Sequence, residues 1–116
     1  MHETSLALAL IEKIESLKIE RGFGDVKKVF VEIGMFSNVV PELFYNAFEV
    51  AKAGSCVQAA ELIIEDRRGK LVCDVCGCEY FPDIPIAVCP NCGELAGKIE
   101  QGRELRLLGL EVEDED

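Results

Sequence analysis

The chain has 116 residues, of which 49% are hydrophobic, so it can form one small domain or a domain with an appendage. Its net charge of −10 argues against nucleic-acid binding, which normally requires a basic surface. The longest uninterrupted apolar run covers only residues 6–11 and follows no basic segment, so we expect no membrane span, no secretion signal and a cytoplasmic location.

The first predicted element is an amphipathic helix over residues 5–21, which Gly22 ends. Its apolar side chains recur at intervals of three and four residues: Ala7, Leu10, Ile11, Ile14 and Leu17. A strand is predicted over residues 28–33, where every second residue is apolar. A second helix is predicted from Pro41, which suits the first turn of a helix, to Gly54.

A second strand is predicted around Leu62, and residues 67–69 end it. Residues 70–102 differ in character, because Cys, Gly and Pro punctuate short strands there. The alternating apolar residues of a last strand follow: Leu105, Leu107, Leu110 and Val112. Gly109 marks a bulge or a close approach in that strand. The last strand has too few apolar neighbours to stand alone, so we expect it to join the sheet of the first two.

Four cysteines of the inserted segment have the spacing C-x2-C-x12-C-x2-C: Cys73, Cys76, Cys89 and Cys92. Each two-residue gap lets a tight turn aim two sulfur atoms at one point, and Gly77 and Gly93 follow where a left-handed backbone is commonly needed. In a reducing compartment this spacing favours a metal, zinc above all, over disulfides or free thiols. Four thiolates leave no open position, so we expect the zinc to be structural.

Iron is the alternative metal, because Cys-x-x-Cys-Gly-x-x-Tyr with Cys-Pro-x-Cys-Gly also resembles the ligand loops of rubredoxins. A red protein with thiolate-to-iron absorption bands would identify iron. Cys78 lies past the glycine turn, so we do not expect it to be a ligand, although a Cys73–Cys78 pairing could compete. Cys56, outside the lobe, is expected to be a buried or half-buried thiol.

The single histidine, His2, directly follows Met1. Methionine aminopeptidases need a small second residue, so Met1 should be retained and offer its α-amine, which has a pKa of ~7.7–8.0 and exchanges its proton for a metal easily. The amine, the backbone nitrogen of His2 and the imidazole can close adjacent chelate rings that suit Ni(II) or Cu(II). The fourth ligand would be Glu3, water, a second chain or a delivery partner. The alternative interpretation is an ordinary exposed histidine.

Three features together resemble the HypA family of nickel metallochaperones, which act in NiFe-hydrogenase maturation: Met1-His2-Glu3-x-Ser5-Leu6-Ala7, the Cys-x-x-Cys pairs, and Gly102-x-Glu104-Leu105. The resemblance implies an α+β fold, with two helices on a three-stranded sheet and an inserted zinc-ribbon-like lobe. It divides the chain into a nickel-binding domain, residues 1–69 plus 103–116, and a zinc-binding domain, residues 70–102.

The resemblance also implies the cargo, the ligands and the partners. Ni(II) would be held at His2, with the Met1 amine and with Glu3 as a further candidate, and Zn(II) by Cys73, Cys76, Cys89 and Cys92. Delivery would involve the GTPase HypB and the large subunit of NiFe hydrogenase. The chain has no second histidine, so a further nickel contact described for some relatives cannot form. A monomer and a homodimer are both compatible with the sequence.

Other function classes fit less well. An enzyme is not expected, because His2 is the sole imidazole and no P-loop is present. A zinc-ribbon module for nucleic acid or protein interaction stays an alternative, although the acidity and the 7% aromatic content count against nucleic acid. A rubredoxin-like electron carrier is the other alternative, which colour would decide.

Overall fold

The computed structural model describes residues 2–95 and 97–113. Within these residues lie two helices, α1 (His2–Arg21) and α2 (Pro41–Ala51). The strands are β1 (Val26–Gly34), β2 (Glu61–Arg67), β3 (Lys70–Val72), β4 (Glu79–Tyr80), β5 (Lys98–Gln101) and β6 (Leu105–Val112). None of the described helices combines the length and the apolar run that a membrane crossing requires.

Strand β1 is the centre of a three-stranded sheet with the order β2-β1-β6. It runs parallel to β2, with Val29 beside Leu62, and antiparallel to β6, with Ile33 beside Leu105. The last strand therefore returns to the sheet of the first two, as predicted. The expected α+β fold is confirmed.

The predicted irregularity in β6 is a bulge at Leu108, next to Gly109. Phe30 pairs with Gly109 while the next residue, Val31, pairs with Leu107, so Leu108 has no partner on β1. One extra residue reverses the side-chain alternation of a strand. This reversal explains why the apolar residues of β6 change from odd to even positions after the bulge.

The main hydrophobic core lies between the two helices and one face of this sheet. α1 contributes four of the five residues of its predicted stripe, since Leu17 is only half-buried. The buried residues are Ala7, Leu10, Ile11, Ile14, Val26, Val29, Val31, Ile33, Phe44, Phe48, Val57, Ala60 and Leu62. The regular alternation of β1 and the three- and four-residue spacing of α1 place these side chains on one side. Leu43 differs, because 52% of it is exposed although it belongs to the apolar pattern of α2.

Two predicted helix boundaries were wrong. α1 begins at His2, so His2 is part of the helix and not of a tail ahead of it. α2 ends at Ala51, and Gly54, with a φ of 78°, lies in the turns that follow. Lys52 caps the helix: its backbone amide still donates to the carbonyl of Phe48 (3.0 Å), and its ammonium donates to the carbonyl of Ala60 (3.0 Å).

Residues 70–102 form a second sheet with the order β4-β3-β5 and a small core of their own: Leu71, Cys73, Tyr80 and Cys89. Phe36, from the turn after β1, packs against this second core. The backbones of the two parts come very close, and a Cβ atom on Gly34 would overlap the carbonyl group of Gly102. The amide of Phe36 donates to that same carbonyl (2.7 Å).

Candidate metal centre

The structure brings the four predicted cysteine ligands together. The Sγ atoms of Cys73 and Cys92 are 3.6 Å apart, as are those of Cys76 and Cys89, and all four lie within 4.8 Å of one another. Zinc–sulfur bonds of about 2.3 Å in a tetrahedron place the sulfur atoms about 3.8 Å apart. The four atoms therefore stand close to the corners that a tetrahedral ion requires.

The two Cys-x-x-Cys turns have the same local geometry. The amide of Gly77 donates to the carbonyl of Cys73 (2.9 Å), and the amide of Gly93 donates to the carbonyl of Cys89 (2.8 Å). Both glycines have positive φ angles, 79° and 77°, which residues with a side chain adopt only with strain. The predicted left-handed glycines are thus confirmed, and they close each turn so that both of its sulfur atoms point the same way.

Hydrogen-bond donors surround the sulfur atoms. The amides of Val75 and Cys76 lie 3.4 and 3.5 Å from the Sγ atom of Cys73, and the side-chain amide of Asn91 lies 3.5 Å from the Sγ atom of Cys76. The Asn91 donor, followed by the backbone amide of Cys78, lowers the pKa of Cys76. Asn91 was not among the predicted site residues, and its place between two predicted ligands is the signal that identifies it.

The cluster ionises unevenly. Donation from the backbone amides of Cys92 and Asn91 lowers the pKa of Cys89 to about 6, although burial opposes this. The amide of Glu94 lowers the pKa of Cys92, but burial and the neighbouring sulfur atoms outweigh it and raise that pKa to about 12. Four thiolates this close repel one another, and a divalent cation removes the repulsion. The donor set fits a soft, tetrahedral ion such as zinc, and it fits iron equally.

The other two thiols lie outside this cluster. The Sγ atom of Cys78 lies 3.5 Å from the carbonyl oxygen of Glu79. Across residues 2–95 and 97–113, the four clustered cysteines are the one group with three or more potential ligand atoms close enough for an ion. Cys56 is half-buried near the carboxylate of Glu15, which agrees with its prediction.

The predicted nickel ligands are only partly described. Met1 lies outside the described residues, and of His2 the structure describes the backbone, which begins α1. Glu3 is half-buried in the first turn, and its carboxylate accepts the amide of Val40 (3.3 Å), the residue before α2. The start of α1 and the start of α2 are therefore tied together at the predicted nickel terminus.

Comparisons with known proteins agree over the whole length. A family model described as "Hydrogenase/urease nickel incorporation, metallochaperone, hypA" matches residues 1–112. The hydrogenase maturation factor HypA of Solidesulfovibrio magneticus is 40% identical over 117 residues, covering 97% of this chain and 100% of that protein. The factor of the same name from Aquifex aeolicus is 38% identical over 113 residues, covering 97% and 98%.

Solved structures match as well. The solution structure of the Ni metallochaperone HypA from Helicobacter pylori superposes with a TM-score of 0.70 at 33% identity, covering 97% of this chain and 98% of that one. A second solution structure of a HypA protein gives a TM-score of 0.69 at 34% identity, covering 97% and 96%. The likeness therefore extends through both sheets.

Proposed function

This chain belongs to the HypA family of metallochaperones for nickel incorporation into hydrogenase and urease, and from that premise we propose that it carries Ni(II) at its N-terminus. The proposed ligands are the amine of Met1, the backbone nitrogen and imidazole of His2, and Glu3 as a further candidate. The observation that carries the proposal is the family match, which begins at residue 1 and so includes this motif.

The start of α1 supports the proposal. The first amides of a helix have no acceptor within the helix, so the backbone nitrogen of His2 loses no helical hydrogen bond on binding a metal. A cation at this end meets the positive pole of the helix dipole, and the carboxylate of Glu3 in the first turn offsets that repulsion. Release to a partner can then proceed by replacement of one ligand at a time.

We propose that Cys73, Cys76, Cys89 and Cys92 hold a structural zinc ion in a domain of residues 70–102. The closed ligand shell supports a structural role, because it leaves no position for a substrate. The separate cores of the two parts support the division from residues 1–69 plus 103–116. A lobe with so small a core needs the metal to fold, and such zinc sites contribute about 10–16 kcal/mol.

We propose that the GTPase HypB and the large subunit of NiFe hydrogenase are the partners, in the cytoplasm. A metallochaperone binds and releases cargo, so the nucleotide hydrolysis linked to delivery has to come from such a partner. The function needs no catalytic residue in this chain.

Calorimetry of untagged, zinc-loaded protein tests the nickel site. We expect one Ni(II) per chain, with binding lost in His2→Ala and in a variant that carries two extra residues ahead of Met1. The matched control carries the same two residues after Asp116 and should bind nickel normally. Unchanged binding in His2→Ala or in the N-terminally extended variant would rule out the proposed ligands.

The metal content of the purified protein tests the second site. We expect one zinc per chain and a colourless solution. An absorption spectrum with thiolate-to-iron bands would replace zinc by iron and revive the electron-carrier alternative.

A further inference from the structure

Strand β6 forms an edge of its three-stranded sheet. It pairs with β1 on one side, and among the described residues no strand lies on its other side. The carbonyl of Glu104 accepts the amide of Gly34 (3.0 Å), and the amide of Glu113 donates to the carbonyl of Asp25 (2.8 Å), so both flanking residues turn towards β1. Backbone groups alternate in direction along a strand. Counted inwards from each end, the groups at the free edge belong to Leu105, Leu107, Leu110 and Val112.

The bulge makes β6 complementary to its own copy. When a regular strand pairs antiparallel with its copy about a two-fold axis, each residue opposes one that lies an even number of residues away. The extra residue, Leu108, reverses the alternation, so residues an odd number apart share a face across the bulge. A two-fold axis between Leu108 and Gly109 then opposes residues of the same face along the strand. The opposed pairs are Leu105 with Val112, Arg106 with Glu111, and Leu107 with Leu110.

On the helix side of the sheet, this pairing covers an open apolar groove. The groove has a volume of about 440 Å³ and lies between α1 and β6, and its lining includes Leu17, Phe23, Leu107 and Leu110. All four are only half-buried within one chain. A second β6 adds its own leucines to this flank and supplies partners for the backbone groups of the free edge.

On the opposite face, the pairing completes a row of alternating charges. Within one chain, the Nε atom of Arg106 lies 3.3 Å from a carboxylate oxygen of Glu32, and Glu111 stands beside Lys28 in the register of β1 and β6. With Arg106 opposite Glu111 of the second copy, the charges across four strands are negative, positive, negative and positive. Two-fold symmetry forms this row twice, and opposite charges directly across a strand pair stabilise it.

Some nearby charges oppose association. The same register places Glu104 opposite Glu113, and two chains of net charge −10 repel each other. Both glutamates are exposed and lie outside the bounds of β6, so solvent and salt screen their repulsion. Lys13 and Arg21 also line the groove, but both are exposed, and Glu20 lies 3.9 Å from Arg21. The interface should therefore be measured at physiological salt.

The other edge of the sheet, β2, lacks this complementarity. It carries three acids and one base: Glu61, Glu65, Asp66 and Arg67. Two copies of β2 would bring six acids together with two bases, whereas β6 carries one acid and one base. Charge therefore favours pairing through β6.

We propose that β6 is the interface of a two-fold homodimer, in which two copies pair antiparallel about an axis between Leu108 and Gly109. The two sheets then form one sheet of six strands with all four helices on the same face. A bulge commonly protects a free edge from pairing. In β6 the bulge instead defines a register in which the strand matches its own copy. The proposal is independent of the metal that the chain carries.

Sedimentation of the untagged, zinc-loaded chain over a series of concentrations tests the dimer. Arg106→Glu and Glu111→Arg should each weaken the dimer about tenfold or more, because each places like charges opposite one another twice. Mixed in equal amounts, the two variants should associate again, since one copy then carries two acids and the other two bases. Recovery in the mixture supports the register directly, because a loss of stability within one chain would not be repaired by mixing.

Glu61→Arg is the matched control. Glu61 and Glu111 are both exposed and flank the same residue of β1, Lys28, from its two sides. The two substitutions therefore change the net charge equally, and the control should dimerise as the wild type does. A wild type that is monomeric at millimolar concentration would overturn the proposal, as would equal weakening by Glu61→Arg and Glu111→Arg or a mixture that stays monomeric.

Hydrogen exchange of the wild type locates the interface without any substitution. The amides of Leu107 and Leu110 should exchange more slowly at concentrations where the dimer forms, because a second strand then accepts their hydrogen bonds. Equal exchange of these amides in monomer and dimer would place the interface elsewhere and overturn the proposal.

Discussion

At the scale of single residues, the cysteines lie in different surroundings. Hydrogen bonds from Asn91 and from backbone amides lower the pKa of Cys76 and of Cys89, which favours the thiolate that a metal needs. Cys56 has the opposite environment, because burial, together with the hydrogen bond and negative charge of Glu15, raises its pKa from 9.0 to about 11. The cysteine thiols of this one chain should therefore differ sharply in how fast they react with alkylating reagents.

We expect Cys56 to react with iodoacetamide at pH 8 about 100-fold more slowly than a cysteine in a short peptide, because only the thiolate reacts. Glu15→Gln removes one of the groups that raise the pKa of Cys56 and should speed the reaction. Mass spectrometry of zinc-loaded protein measures both rates. Equal rates for the wild type and Glu15→Gln would contradict the assigned role of the carboxylate.

The same shift gives a pH dependence of stability. Folding raises the pKa of Cys56, so the unfolded chain loses this proton first as the pH rises. The stability that the protonated thiol contributes is present below pH 9 and is lost as the pH approaches 11. Between pH 9 and about 11, the free energy of unfolding measured in urea should fall less for Cys56→Ser than for the wild type. A parallel decline of both proteins would disprove the linkage.

At the scale of elements, two turns hold the inserted lobe together, because its strands are too short to do so. β3 has three residues and β4 has two, so their ladders alone cannot hold the lobe. The turns that end in Gly77 and Gly93 position the sulfur atoms, and an ion between them joins the two halves of the lobe.

Removal of the metal should therefore unfold the lobe while α1 and α2 persist. With Cys76→Ser, or after a strong chelator is added, we expect the backbone amide signals of residues 70–102 in the NMR spectrum to lose their dispersion. Most of the helical circular dichroism should remain. Cys78→Ser is the control and should keep both its metal and its spectrum. A lobe that stays folded without metal would show that the small core suffices.

Much of the element order could be predicted from the sequence, because α1 and β1 show clean periodicities and the spacing of Cys73 to Cys92 determines one site. The bulge was foreseen at Gly109, yet the unpaired residue is Leu108, since only the register against β1 defines it. The exposure of Leu43 could not be predicted, because α2 carries apolar residues on two faces. The end of α2 at Ala51 could not be predicted either, because the glycine that follows the apolar pattern, Gly54, lies three residues beyond it.

At the scale of the whole molecule, the two parts are joined end to end. The overall extents are 59 × 27 × 17 Å, and the radius of gyration is 17.6 Å, whereas a compact chain of this length has about 13 Å. The joint has direct bonds: Arg67 donates to the side chain of Gln101 (2.9 Å), and the guanidinium of Arg68 lies 4.7 Å from the ring centre of Phe81. Phe36 fills the space beside Gly69.

A methyl group in this joint should be poorly tolerated. We expect Gly34→Ala to lower the free energy of unfolding by about 3 kcal/mol or more, because its Cβ atom would overlap the carbonyl of Gly102. Gly54→Ala is the comparison, since nothing lies near that position and only its positive φ is strained, at about 1 kcal/mol. Urea unfolding measures both. Similar losses in the two variants would mean that the joint can relax.

The antiparallel pairing of Lys70 with Gln101 holds the two ends of the inserted lobe side by side. A disordered segment of that length would resist bringing its ends together by about 3 kcal/mol of loop-closure entropy. β6 follows this segment and has to reach β1 to complete the other sheet. An ordered lobe removes most of that entropic penalty before β6 pairs. A chain whose four clustered cysteines hold no metal should therefore pair β6 with β1 less readily, although none of those cysteines belongs to that sheet.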